Sequence, residues 1–161
     1  MKNNEHDKPT GLFGLSEKFK FRCAQCGKCC KGRHDILLSP FDIYRMAKIL
    51  GVSHADIITE YCDIYIGKDS KLPVVAINMK NGENCPLMDS DNKCIVQKGK
   101  PTVCALFPLG RKVRIDREEG QIAISYFLQN TNCGETDEEH SVNEWLESFG
   151  LDFFESNMEF V

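Results

Sequence analysis

Cys23-Ala24-Gln25-Cys26-Gly27-Lys28-Cys29-Cys30 sets the kind of fold this 161-residue chain can have, because cysteines at this spacing gather round a metal. Two residues between Cys23 and Cys26 let a tight turn aim both sulfurs at one ion. Gly27 accepts a positive φ, so the N–H groups that follow can turn back toward the sulfurs. Cys29 extends the run to Cys-x-x-Cys-x-x-Cys, a spacing found in structural zinc sites and around three irons of a [4Fe–4S] cubane. Cys30 breaks the pattern. Side chains of adjacent residues diverge in a strand and in a helix. Cys29 and Cys30 are therefore expected to serve two neighbouring centres, or one of them to be a redox thiol or a support to a ligand. Four cysteines in one run do not close a tetrahedron comfortably, so further ligands are expected downstream.

Downstream, Cys85, Cys94 and Cys104 follow one another at intervals of nine and ten residues, and Cys133-Gly134 repeats the Cys26-Gly27 pair. With the first run they make eight candidate metal ligands: Cys23, Cys26, Cys29, Cys30, Cys85, Cys94, Cys104 and Cys133. Eight thiolates suit two tetrahedral ions, a binuclear centre with bridging sulfur, or an iron–sulfur cluster beside a zinc. The ninth cysteine, Cys62, is expected mid-helix among Ile58, Tyr61 and Tyr65, as a buried free thiol behaving like a small hydrophobe. His34 lies four residues past Cys30 and reads as a loop histidine before a ligand, while His6, His54 and His140 have no ligand-like company. Asp89, Asp91 and Asn92 start like a calcium loop but lack its downstream glycine and glutamate, so a turn is expected there.

A chain of this length builds a hydrophobic core without staples, so nine cysteines exceed what folding requires. The polar start, Met1-Lys2-Asn3-Asn4-Glu5-His6-Asp7-Lys8, leads into no apolar h-region, and the longest apolar stretches are too short to cross a bilayer. A cytoplasmic protein is expected, in which clustered thiols stay reduced and bind metal rather than forming disulfides. Net charge is −4, unevenly spread: from Gly134 onward there are nine acidic residues and no Lys or Arg, against 20 basic and 15 acidic before it. Lys18, Lys20, Arg22, Lys28, Lys31 and Arg33 surround the first cysteines. No nucleic-acid module pattern accompanies them, so they are expected to offset thiolate charge rather than to bind nucleic acid.

Local signals predict a small cysteine-rich α+β domain organised partly by metal, with several helices and short β-hairpins. Ser39-Pro40 opens a helix that Gly51 ends, and Ser53 with Asp56 opens a second whose apolar side holds Ile57, Ile58, Tyr61, Ile64 and Tyr65. Leu72–Met79 reads as a strand. Residues 85–96 read as a hairpin-like unit with a cysteine at each base, and a short turn or helical piece holds Cys104. Lys112–Asp116 and Gln121–Phe127 suit a hairpin around Glu119-Gly120, and Ser141 with Glu144 caps a last amphipathic helix carrying Trp145 and Phe149. The expected organisation is a flexible lead-in over 1–16, the cysteine-cluster domain over 17–134, and an acidic helical extension over 135–161 packing on it.

These residues resemble the CxxCxxCC, or YkgJ-type, cysteine-cluster family of zinc- or iron-chelating domains. Phe21-Arg22-Cys23-Ala24-Gln25-Cys26-Gly27-Lys28-Cys29-Cys30 is similar to its opening signature and Leu38-Ser39-Pro40-Phe41-Asp42-Ile43 to its following helix start. Cys85-Pro86-Leu87, Cys94-Ile95-Val96 and Pro101–Pro108 resemble its second half. Lys100 and Ala105 stand where the family usually has arginine. The resemblance implies a bound zinc or iron and specifies no catalytic residue. A related arrangement in the flagellin lysine N-methylase makes an iron–sulfur enzyme or redox domain the alternative, although this chain has no G-x-G-x-x-G loop. A metal-stabilised module that docks a protein partner through the C-terminal helix is the third.

Overall fold

The computed structural model describes residues 11–79, 83–115 and 120–151. His6 and the first ten residues of the lead-in, 116–119 of the expected hairpin turn, and the extension from 152 onward lie outside the described residues. Strand β1 is Lys18–Arg22, β2 Leu37–Leu38, α1 Pro40–Leu50, α2 His54–Tyr61, β3 Cys62–Ile66 and β4 Pro73–Ile77. Then come α3 Thr102–Leu106, β5 Leu109–Ile115, β6 Ile122–Leu128, β7 Glu135–Ser141 and α4 Val142–Ser148. The chain is of mixed α+β class with short antiparallel strands, as the local signals predict. It forms two compact units: Ala24–Ala105, and a second in which residues up to Cys23 join those from Leu106 onward.

In Ala24–Ala105 the expected caps are in place. Ser39 and Asp42 form a reciprocal capping box on α1, Ser53 and Asp56 do the same on α2, and Gly51 closes α1. Strands β2, β4 and β3 make an antiparallel sheet with β4 central. Its core is Ile36, Leu38, Ile43, Met46, Ala47, Ile57, Ile77, Met79, Leu87 and Val96. One expectation fails: the second helix stops at Tyr61, and Cys62, Ile64 and Tyr65 belong to strand β3. Cys62-Asp63-Ile64-Tyr65-Ile66 is rich in β-branched and aromatic side chains, and pairing in register from Cys62↔Ile77 to Ile66↔Pro73 outweighs continuation of the helix. Cys62 is half-buried against the core, with its thiol donating to the Ile57 carbonyl at 3.4 Å, and burial raises it to about 11.

In the other unit β5 and β6 pair as a hairpin from Leu109↔Leu128 to Ile115↔Ile122, and Phe13 adds a bridge to Tyr126. β1 pairs antiparallel with β7. The sequence reading misses both strands of this ribbon, placing 135–141 in the acidic extension ahead of the helix that Ser141 caps. Glu135-Thr136-Asp137-Glu138-Glu139-His140-Ser141 lacks apolar alternation, and its register is written in charge. Lys20 stands opposite Glu139 and Arg22 opposite Glu135, while Lys18 meets Glu139 at 3.0 Å and Arg22 forks onto Asp137 at 2.9 and 3.0 Å. Solvent screens exposed pairs of this kind, so they select register more than they stabilise. Apolar contact does the rest: Phe19 and Phe21 of β1 are buried edge-on against Trp145 of α4, at 5.6 and 5.8 Å between ring centroids. Gly134 has φ +81°, and a methyl group there would overlap the Phe21 ring.

Candidate metal centre

Backbone bonds bring the cysteine run of Ala24–Ala105 onto two later segments. Gly27 has φ 71° and ψ −2°, a left-handed conformation that few L side chains accept, and it starts a 3-10 turn over Lys28–Cys30. It also abuts the 88–92 turn: a Cβ at Gly27 would lie 2.9 Å from the Asn92 carbonyl and 3.1 Å from Met88 Sδ. The Cys85 N–H donates to the Cys30 carbonyl at 2.9 Å, and the Gly32 N–H to the Glu83 carbonyl at 2.9 Å. Met88 bridges to Cys94, and Ile95 donates to Leu87, so Cys85 and Cys94 sit at the two bases of a short hairpin, the form read from the sequence. Cys104 rides on α3. The buried Leu87 and Val96 anchor the hairpin in the core, and Cys85, Cys94 and Cys104 pack on that core's rim.

The sulfurs of Cys29 and Cys30 are 3.9 Å apart. This corrects the expectation that adjacent cysteines diverge, which assumes a strand or a regular helix. The 3-10 turn that Gly27 starts has neither geometry. Two ligands of a tetrahedral ion, each at about 2.3 Å, stand about 3.8 Å apart, so the pair has chelating separation. The contact between the two sulfurs draws Cys29 below the ordinary thiol range, with help from the nearby Lys100 and Arg33, and pushes Cys30 up. Burial raises Cys85, and raises Cys104 to about 12 against the pull of Arg33. Cys30 feels the charges of Cys85 and Cys94, and Cys104 those of Cys29, Cys85 and Cys94. Five sulfurs therefore lie within electrostatic reach of one another.

The other candidates are placed differently. Cys26 is exposed in the same loop, while Cys23 and Cys133 belong to the other unit. His34 is exposed. Arg33 forks onto Asp35 at 2.7 and 2.8 Å while influencing Cys29 and Cys104, so one of the six expected cations does offset sulfur charge. Lys18, Lys20 and Arg22 face β7 instead. The sequence reading noted Lys100 only as standing where the family usually has arginine, and passed over Asp42 as part of the site. Lys100 is buried near Cys29, and Asp42 is buried between α1 and α3. Among the described residues no three Cys, His, Asp or Glu side chains already stand where they could hold an ion together, and no helix is long and apolar enough to cross a membrane.

Gly27→Ala is expected to cost about 1–3 kcal/mol, because the new methyl meets both the left-handed backbone and the Asn92 carbonyl. Denaturant unfolding of the variant measures that loss, and an unchanged midpoint contradicts the packing described.

No curated protein and no solved structure matches the chain. One family does: residues 22–126, which span the first cysteine run, the capped helices, the 85–96 hairpin and Cys104, match CxxCxxCC, described as "Putative zinc- or iron-chelating domain". With two thirds of its length inside that match, this chain belongs to the CxxCxxCC family.

Proposed function

We propose that Ala24–Ala105 holds a zinc or iron centre with thiolate donors drawn from Cys29, Cys30, Cys85, Cys94 and Cys104, in a reducing, cytoplasmic setting. The observation that carries it is the 3.9 Å pair Cys29–Cys30, tied through the Cys30 carbonyl to the N–H of Cys85. Cys26 joins the donors as part of the same loop, and Cys23 and Cys133 of the other unit are expected donors to a second ion. An ion bound here supplies a cross-link among segments 26–30, 85–94 and 104, and electron transfer as well where it is iron in a cluster. Before binding, mutual repulsion and burial keep protons on most of these sulfurs. A divalent cation replaces those protons, which is the exchange this donor chemistry fits.

Protein purified without oxygen is expected to contain zinc or iron in stoichiometric amount. A brown colour that bleaches on reduction assigns an iron–sulfur cluster and favours the redox alternative; a colourless, zinc-loaded protein assigns a structural centre. Neither metal in the anaerobic preparation overturns the reading. Because the Cys30, Cys85 and Cys104 pKa values lie above the ordinary thiol range, binding at neutral pH must expel protons. Affinity is therefore expected to rise by about tenfold per pH unit for each proton released, levelling off only as the free thiols ionise. Proton release in weakly buffered titrations checks the sign, and a pH-independent affinity contradicts it.

A further inference from the structure

We infer that Asp42 is the positioning residue for Cys104, holding the helix that carries this thiol against the start of α1. The inference rests on the thiolate centre proposed above. Helix α3 has five residues, too few to be stable by themselves. Its N-terminus is satisfied from sixty positions upstream: the Thr102 N–H and the Thr102 hydroxyl both donate to Asp42 Oδ1, each at 2.7 Å. Asp42 Oδ2 meanwhile accepts from the Ser39 N–H at 2.8 Å and the Ser39 hydroxyl at 2.7 Å. One buried carboxylate, 2% exposed, thus joins the N-termini of two helices through four hydrogen bonds.

The equivalent residue of α2 shows what capping alone asks for. Asp56 takes the same two bonds from Ser53 with one oxygen, in an exposed position. Asp42 adds the second oxygen, burial and a distant helix. Cys104 lies two residues beyond Thr102, and its N–H donates to the Pro101 carbonyl at 2.9 Å, so less than one helical turn separates the clamp from the sulfur. A carboxylate is an acceptor with about four lone-pair sites, and all four donors here point at it. Asparagine would turn an N–H group toward one of those donor pairs.

Cobalt(II) occupies tetrahedral thiolate sites and reports its sulfur ligands by charge-transfer absorption, so it serves as the probe. Thr102→Val removes one hydroxyl at nearly constant shape and leaves the Ser39–Asp42 box in place. We expect it, and Asp42→Asn more strongly, to weaken cobalt binding about 10- to 100-fold and to lower the thiolate band toward that of Cys104→Ser. Thr102→Ser keeps the hydroxyl and is expected to behave as the unaltered protein. Ser53→Ala, which weakens the cap of α2, should leave the band unchanged. If Asp42→Asn does not fold, Thr102→Val and Thr102→Ser still decide the matter. A normal band in Thr102→Val, or in Cys104→Ser, overturns the role given to Asp42 and leaves the metal centre standing. A thiolate band missing from the unaltered protein overturns the metal centre itself.

Discussion

Stripping the metal with a chelator is expected to release the backbone amides of Gly32, Cys85, Asn92 and Ile95 to rapid hydrogen exchange while those of α1 stay protected. The reason lies in how differently the parts of Ala24–Ala105 are held. Helices α1 and α2 and the three-stranded sheet share a core in which Met46 and Ile57 are fully buried. Segments 27–32 and 83–96 have Leu87 and Val96 in that core, but are otherwise joined by a handful of backbone bonds such as Cys85 to Cys30 and Ile95 to Leu87. Structural zinc contributes about 10–16 kcal/mol in isolated fingers, so its loss here should exceed the effect of any point substitution. The core moderates the result: local opening is expected instead of a random coil. Equal exchange at Cys85 and Ile95 with and without chelator would contradict a structural role for the ion.

Trp145→Ala should be the most damaging single change in the other unit, at about 3–5 kcal/mol. Trp145 is buried and touches Phe19, Phe21, His140 and Phe149 at ring separations between 5.2 and 5.8 Å. His140 also sets its Nε2 3.1 Å from the Phe21 carbonyl, so the ring cluster and the β1–β7 ribbon support each other. Against total stabilities of about 5–15 kcal/mol, such a loss removes a large part of the folded population. Chemical denaturation followed by circular dichroism measures it. A variant as stable as the parent would mean that Trp145 faces a partner instead of this core.

The fold was legible wherever local chemistry decides it. Ser39, Ser53 and Ser141, each followed three residues later by an acid, announce three helices that the structure contains. The β5–β6 hairpin follows from alternation. Strand β7 was not legible, because its partner lies more than a hundred residues away and its side chains are acids, a threonine, a histidine and a serine, not alternating apolar groups. β3 was misread because Ile64 and Tyr65 suit a helix face as well as a strand, and only the presence of β4 decides between them. Within the site, the sequence makes the cysteines conspicuous and conceals their mutual geometry. The approach of Cys29 to Cys30 depends on a left-handed Gly27 wedged against Asn92, a tertiary contact no spacing encodes. Asp42 was not singled out, since half of its bonding belongs to Thr102, sixty residues away.

The pairing of β1 with β7 bears on the order in which a ribosome delivers this protein. Lys18 and Glu139 are 121 residues apart, so that ribbon must wait until Glu139 has emerged. Ala24–Ala105 is contiguous and can collapse earlier, with Cys29, Cys30, Cys85, Cys94 and Cys104 all within it. Cys133 follows after that segment has emerged, and until then the β1 strand that precedes Cys23 has no β7 to pair with. Metal loading of the contiguous segment can therefore be a nascent-chain event, complete before the sheet that closes the remainder exists.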